Sequence, residues 1–400
     1  MTQAPRILAV IGSRVLYGQE RANLSVIETL QTQGCEILAV VEDHPSFRSM
    51  PQEMERRGIS YLKVPMIGRR VEGYLFDFLF GNPVRFLQLF KKLRGILRDW
   101  RPTHIHVPSP VAFIMADAIA PSNVPIIYRL GDKPSAHNAL WRWIWRRIAQ
   151  RVTHFVADSD FISKNLQEHF GVCETRITVI FTPPAVRLNP PTPDNYAESS
   201  ANILFIGQIS KNKGVDILIE AFKIILKEHR NASLVVVGRV SEWLGDDWAR
   251  RLRDATLSDP VIGPHVSFVG EQEDIYSFLA SAAFLVVPSI IDEAFGLVVG
   301  EAKVAARPSV VFPRGGLPEQ IIHGEDGYIC RDTSVEALAD GLRYYLSDPD
   351  RVQEHGQNAL ASISRLGADQ FAQRWRAIYD ATMLTPGSSI GRRWERKELR

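Results

Sequence analysis

The chain has 400 residues, 45% of them hydrophobic and 23% charged, which exceeds one ordinary doubly wound domain and suits two, each with a sizeable core. Lys and Arg number 47 against 45 Asp and Glu, a net charge near +2, so no global field pulls the chain toward nucleic acid and any polyanion site must be local. The three cysteines, Cys35, Cys173 and Cys330, are odd in number and widely spaced; they suit a reducing compartment better than a disulfide framework or metal site, and all three read as packing residues.

Taken in chain order, the opening MTQAPRILAVIGSR lacks a basic leading region and a small-residue cleavage site and reads as a first strand. ILAVIG (7 to 12), CEILAVV (35 to 41), THIHV (103 to 107), PIIYR (125 to 129), HFVAD (154 to 158) and ITVI (177 to 180) are predicted strands of one sheet, alternating with helix-length amphipathic stretches. NILFIG (202 to 207), SLVVVG (233 to 238), HVSFVG (265 to 270), FLVVPS (284 to 289), SVVFP (309 to 313) and GYIC (327 to 330) predict a second sheet. Each series opens with an apolar strand running into glycine, Gly12 and Gly207, where a strand turns sharply into a loop and helix. The expected fold class is therefore α/β, with two doubly wound domains facing across a cleft that holds the ligand. The domain limits follow: a first domain over 1–185, a proline-rich linker over 186–201, a second domain over 202–366, a helix over 367–385 packing back on the first domain, and a mobile basic tail over 386–400. No run approaches the ~18 apolar residues that span a bilayer, so the expected location is cytoplasmic, with membrane contact at the surface.

The segment PSIIDEAFGLVVGEAKVAARPSVV (288 to 311) is the most informative. A strand ending near Ser289 and a helix starting around Phe295 put the unpaired amides of Ala294, Phe295, Gly296 and Leu297 at a helix N-terminus. The helix dipole and free amides there favour a phosphate, and Gly296 permits close approach. Glu293 and Glu301, eight residues apart, then flank the bound group and can accept hydrogen bonds from sugar hydroxyls.

Here the sequence resembles the retaining nucleotide-sugar glycosyltransferases of family four, with a glutamate, seven residues, glutamate motif. FIGQISKNKGVD (205 to 216) and RGGLPEQIIHGEDGY (314 to 328) resemble two further family elements, in family order. The resemblance implies the GT-B fold of two facing Rossmann-like domains. It also implies that Lys213 neutralises the donor diphosphate, that Glu301 holds the ribose hydroxyls, and that Glu293 contacts the transferred sugar. Ala294, Phe295, Gly296 and Leu297 would supply backbone contacts, and the base would pack near Gly238 and Arg239. A fixed ammonium with oriented amides stabilises a departing diphosphate without a metal. The chain has no Asp-x-Asp motif in a suitable loop, and neither DEA at 292 to 294 nor GDD at 245 to 247 substitutes for one. No cofactor or metal is expected, only a UDP-sugar or GDP-sugar as substrate.

Two departures stand out. Gln208 occupies a place where many family members carry a second cation, and a glutamine donates without charge; Arg239 or Arg314 are the candidates to replace it. The family's histidine after the fifth strand is absent from YRLGDKPSAHN (128 to 138), where Asp132 is the candidate for a catalytic hydroxyl contact, against a plain turn-stabilising role. His104 and His106 alternate on a strand and read as packed. GSRVLYGQERANLSVIETL (12 to 30) is either a structural loop or one that closes on the donor phosphate, with Gly12 and Gly18 allowing the approach.

Two stretches, 73 to 102 and 139 to 151, mix basic and aromatic residues, as helices lying in an anionic membrane interface do, or as helices packed on the first sheet do. The predicted activity is retaining sugar transfer from a nucleotide-sugar donor to a glycan or lipid-linked acceptor, by a front-face displacement in polysaccharide biosynthesis. Two alternatives stay open, a sugar-nucleotide epimerase on the same fold and a catalytically silent nucleotide-sugar or membrane-binding module.

Overall fold

A computed structural model describes residues 4–11, 18–42, 49–64, 83–135, 137–184, 201–240, 247–366 and 370–383. The chain divides into two units. The first takes in the residues up to Asp158, those of 162–180 and the C-terminal helix, and the second takes in 159–161 and 181–369.

In the first unit the elements run β1 (Arg6–Val10), α1 (Gly18–Thr32), β2 (Glu36–Glu42), α2 (Ser49–Arg56), β3 (Tyr61–Val64), α3 (Pro83–Trp100), β4 (His104–Val107), α4 (Pro110–Asp117), β5 (Ile126–Leu130), α5 (Ala139–Arg151), β6 (His154–Ala157), α6 (Asp160–Phe170) and β7 (Ile177–Val179). The second unit holds β8 (Asn202–Ile206), α7 (Val215–Leu226), β9 (Ser233–Val237), α8 (Trp248–Ser258), β10 (Val266–Gly270), α9 (Tyr276–Ser281), β11 (Phe284–Val287), α10 (Leu297–Val304), β12 (Ser309–Val311), β13 (Gly327–Ile329), α11 (Val335–Leu346) and α12 (Pro349–Ala361). The last described helix, α13 (Phe371–Met383), returns to the first unit.

The sheet orders are β3-β2-β1-β4-β5-β6-β7 and β10-β9-β8-β11-β12-β13, and the strand pairs are all parallel, with one register shift between Phe268 and Gly270 where β10 meets β9. Parallel strands covered on both faces read as unbroken apolar runs, which is why ILAV, FLVV and SVV announce themselves. Their side chains still alternate between faces. In the second sheet Ile203, Phe205, Leu234, Val236, Phe284 and Val286 pack with α7 and α11 on one side. Leu204, Val237, Leu285 and Val287 pack with α9 and α10 on the other. In the first unit α1, α2 and α13 close a core around Ile7, Ala9, Ile37 and Ala39, to which α13 brings Phe371, Trp375, Ile378 and Tyr379.

Each order reverses direction at the first strand of its series, between β1 and β4 and between β8 and β11. That is where loops leaving the carboxyl ends of neighbouring strands part company and open a crevice in such sheets.

The structure corrects some sequence expectations. Strand β3 was not anticipated; it is an edge strand with half of its residues exposed, so it lacks the apolar run that marks the central strands. Cys35 and Cys330 are buried, but Cys173 is exposed and is no packing residue; it follows α6 in an open turn. Helix α10 begins at Leu297 rather than near Phe295, because Gly296 takes a left-handed φ of 87° that interrupts helical geometry just before it. His104 and His106 are buried as expected, bonded to Thr382 (3.0 Å) and the Tyr379 hydroxyl (2.8 Å) of α13. Gly12, the linker over 186–200, the segment 73–82, residues 245 and 246 of the GDD triplet and the tail over 386–400 lie outside the described residues.

Candidate active site

In the second unit the site is assembled where β8 and β11 lie side by side. After β8 the chain passes through Gly207 and Gln208 into a short helical turn over Lys211–Lys213 that ends at Gly214 in the left-handed region (φ 67°). A Cβ at Gly214 would sit 2.0 Å from the carbonyl oxygen of Pro288, so only glycine lets this loop press on the one after β11. The Ile290 amide donates to the Asn212 carbonyl at 3.0 Å and fastens the two together.

This contact brings Lys213 onto Glu293. Their side chains form an ion pair, and the Ser289 hydroxyl donates to the same Glu293 oxygen, Oε1, at 2.6 Å. Lys213 is 29% exposed and Glu293 16%, so the pair is partly open to solvent rather than sealed in the interior. An ammonium has three donors, and one bond to Glu293 leaves it able to serve a second anion.

Behind Glu293 lies the loop of Gly315 and Gly316. The Gly316 amide donates to the Glu293 carbonyl at 2.8 Å. A Cβ at Gly315 (φ 60°) would stand 2.1 Å from that carbonyl oxygen, and one at Gly316 would stand 2.3 Å from the Ala294 carbonyl. Gln320, buried, donates through Nε2 to the carbonyls of Phe295 and Gly296. With those carbonyls held, the chain is committed to its entry into α10, whose first amides have no acceptor within the helix. Ala294 and Phe295 are buried while Gly296 and Leu297 are half-buried, and Glu301 follows one turn into α10, also half-buried. The far side of α10 is pinned by Lys303, which bonds Asp326 at 2.9 Å and the Ser362 hydroxyl at 2.8 Å, all three buried.

The remaining candidates of the second unit are found in different states. Gln208 is half-buried in the loop leaving β8. Arg239 follows Gly238, whose own Cβ would overlap the Gly207 carbonyl at 1.7 Å, and it lies 3.9 Å from Glu271. Arg314 lies 3.4 Å from Asp292. Both arginines considered as replacements for the missing cation thus have a carboxylate beside them. Among the described residues no group of three or more His, Cys, Asp or Glu could hold a metal.

Asp132 belongs to the first unit. It is exposed and stands at the edge of a cavity of about 170 Å³ whose walls include Tyr128, Leu130, Trp141 and Trp145, with Ser109, Lys133 and His137 among its polar groups. Beneath it lies a cluster that reading the sequence missed. Arg129, fully buried, bonds Asp158 at 2.5 Å and Asn23 at 3.1 Å. Burial pushes the Asp158 carboxyl up to about 6; Arg129 pulls it down and nearby Asp132 pushes it further up. The only trace in the sequence was one charged residue inside an apolar strand segment, YRL, and another directly after a second, FVA.

Two family models match, "Glycosyltransferase Family 4" over residues 17–183 and "Glycosyl transferases group 1" over 193–361. Among curated relatives, the D-inositol 3-phosphate glycosyltransferase of Corynebacterium kroppenstedtii is 27% identical over 301 residues, covering 71% of this chain and 63% of that protein. The chain therefore spans just under two thirds of that relative's length. The glycogen synthase of Mycobacterium tuberculosis is 28% identical over 310 residues, covering 73% of this chain and 70% of that protein. Among solved structures, a glycosyltransferase from Rickettsia africae superposes with a TM-score of 0.77 at 19% identity, covering 97% of this chain and 100% of the other. Anabaena HepE in complex with UDP-glucose gives 0.74 at 18% identity, covering 95% and 99%. These likenesses show the GT-B fold of two Rossmann-like domains. Matched by one model in each half of its length, and carrying that fold, the chain belongs to the family four glycosyltransferases.

Proposed function

We propose that this chain is a retaining, metal-independent glycosyltransferase that moves a hexosyl group from a UDP-sugar or GDP-sugar to a glycan or lipid-linked acceptor. We read it as a cytoplasmic protein that meets its acceptor at an anionic membrane surface. Among the described residues no helix is long and apolar enough to cross a membrane.

The observation that carries this reading is the meeting of Lys213, Ser289 and Glu293 beside the start of α10. A leaving nucleoside diphosphate gathers negative charge as the sugar departs. A fixed ammonium and oriented amides stabilise that charge more in the transition state than in the ground state, which is the condition for catalysis. Lys213 supplies the ammonium to the diphosphate, the amides after Glu293 supply the dipoles, Glu301 accepts from the ribose hydroxyls, and Glu293 orients the sugar. HepE was solved with UDP-glucose, and that supports UDP as the base carrier here. In the first unit Asp132 offers a carboxylate to a substrate hydroxyl, held at the rim of an aromatic-walled cavity.

The test is a product assay with chelator present, preceded by thermal melts of the protein with UDP, GDP and their sugar conjugates. One nucleotide stabilises the wild type and not Glu301→Ala, and transfer proceeds in chelator with the donor's anomeric configuration retained. Loss of activity in chelator that returns with a divalent ion would sink the metal-independent part. Stabilisation without any product across a broad acceptor panel would leave a silent binding module.

A further inference from the structure

Helix α5, ALWRWIWRRIAQR, contains four arginines and no acidic residue. Its inner face is settled: Ile144, Trp145 and Ile148 are buried. At 100° per residue the opposite face centres on Trp143, with Arg142 and Arg146 on one flank and Leu140 and Arg147 on the other. Trp143 is 64% exposed and Leu140 47%. Arg147 is engaged by Asp117 at 2.9 Å, whereas Arg142 and Arg146 are exposed and have no acidic partner among the described residues.

A tryptophan left mostly in water forfeits much of what its burial could contribute, and the cost is recovered when something covers it. A tryptophan ring is suited to the headgroup level of a bilayer, with its apolar body inward and its N–H toward water, and guanidinium groups bind phosphates in a bidentate fork. The face is convex and about 20 Å long for 13 residues; it is a helix lying flat, not a groove that would receive a peptide. Trp141 and Trp145 of the same helix line the cavity that Asp132 borders.

We propose that the outward face of α5 docks on the anionic headgroup layer of a lipid bilayer, with Trp143 at the interface and Arg142 and Arg146 on lipid phosphates. This deepens the reading of a membrane-borne acceptor and rests on it. The surface holds the aromatic-walled cavity at the membrane, where a lipid-linked acceptor is delivered. Helix α3 offers the control, since it carries an exposed stripe of similar composition, Leu87 (68% exposed), Lys91, Arg94 and Arg98, with Arg98 already bonded to Asp99.

The experiment is co-sedimentation of the full chain with neutral phosphatidylcholine vesicles and with vesicles containing phosphatidylglycerol, at low and high salt. The wild type binds the anionic vesicles alone and loses binding in high salt. Arg142→Gln and Arg146→Gln each lower the partition coefficient about fivefold. Trp143→Ala lowers it as well, and all three variants keep the wild-type melting temperature and its shift with nucleotide-sugar. Binding that survives the three α5 substitutions, or is lost only in Lys91→Gln/Arg94→Gln, overturns the α5 surface while leaving a membrane-borne acceptor standing. A wild type that ignores every vesicle overturns both, and points α5 to an acidic protein instead.

Discussion

Glu293 Oε1 accepts from Lys213 Nζ and from the Ser289 hydroxyl at once, so a single carboxylate oxygen joins the loop after β8 to the loop after β11. The residue proposed to orient the sugar is therefore also the one that fixes where the ammonium stands. Substitutions at either end should differ in what they disturb.

Lys213→Ala removes the ammonium and leaves Glu293 with Ser289. Hydrogen bonds to charged groups contribute ~1.5–3 kcal/mol, so UDP affinity measured by calorimetry should fall about ten- to hundredfold. Ser289→Ala should leave UDP affinity within a few-fold of wild type, yet slow transfer, because it loosens Glu293 without touching the ammonium. Equal loss of nucleotide affinity in both variants would contradict this division of labour.

Gly315→Ala introduces a Cβ at 2.1 Å from the Glu293 carbonyl and forces a left-handed φ on alanine. The backbone cost alone is ~1–2 kcal/mol, and the overlap must push Glu293 away. Gly324 is the matched comparison, with a φ of 80° and nothing within 4 Å of its Cβ. Gly324→Ala should lower the melting temperature and keep transfer; Gly315→Ala should lower both. An active Gly315→Ala protein would show that the position of Glu293 tolerates displacement.

Acid should destabilise the first unit below pH 6.5. Burial lowers His104 and His154 to about 4 and His106 to about 3, each with Coulombic contributions of smaller size. The unfolded chain takes up these protons from 6.5 downward while the folded chain refuses them, so stability is lost as pH falls through that window. Asp158 acts the opposite way, since its raised value lets the folded chain keep a proton up to about 6, but three groups oppose one. The urea midpoint should be lower at pH 5 than at pH 7.5. An unchanged midpoint would mean that the buried histidines are not held neutral.

Trp375 of α13 is 1% exposed within the core of the first unit. Trp375→Ala should cost ~3–5 kcal/mol, seen in denaturant unfolding as a loss confined to one of two transitions. A loss shared equally by both transitions would mean that the units do not unfold separately.

Much of the fold was legible because parallel strands buried on both faces are mostly apolar along their length, and each such run in this chain proved to be a strand with limits off by one or two residues. Edge strand β3 was not legible, since Leu62 and Lys63 face water and nothing in YLKV forces pairing. The glutamates and the lysine were visible as motif members, and the structure brings Glu293 and Lys213 into direct contact across 80 positions of sequence. The contact itself was invisible, because it depends on Gly214 against Pro288, a steric fact with no side-chain signal. Gln320 was missed for a related reason: it acts on backbone carbonyls, and any amide-bearing residue looks ordinary until the backbone it reaches is known. Arg129 and Asp158 could have been found as one charge inside an apolar strand and one at the end of its neighbour, since such groups are almost never fully buried unless paired.

The first unit borrows its last helix from beyond the second. A chain made from its N-terminus has all of the second unit's strands and helices available before α13 exists, so the second sheet can complete its core early. The first sheet must wait with the surface of Ile7, Ala9 and Ile37 only partly covered, by α1 and α2, until Trp375 and Tyr379 arrive. The order of synthesis thus reverses the order of completion, and the first half of the protein is the half most exposed to aggregation while it is being made.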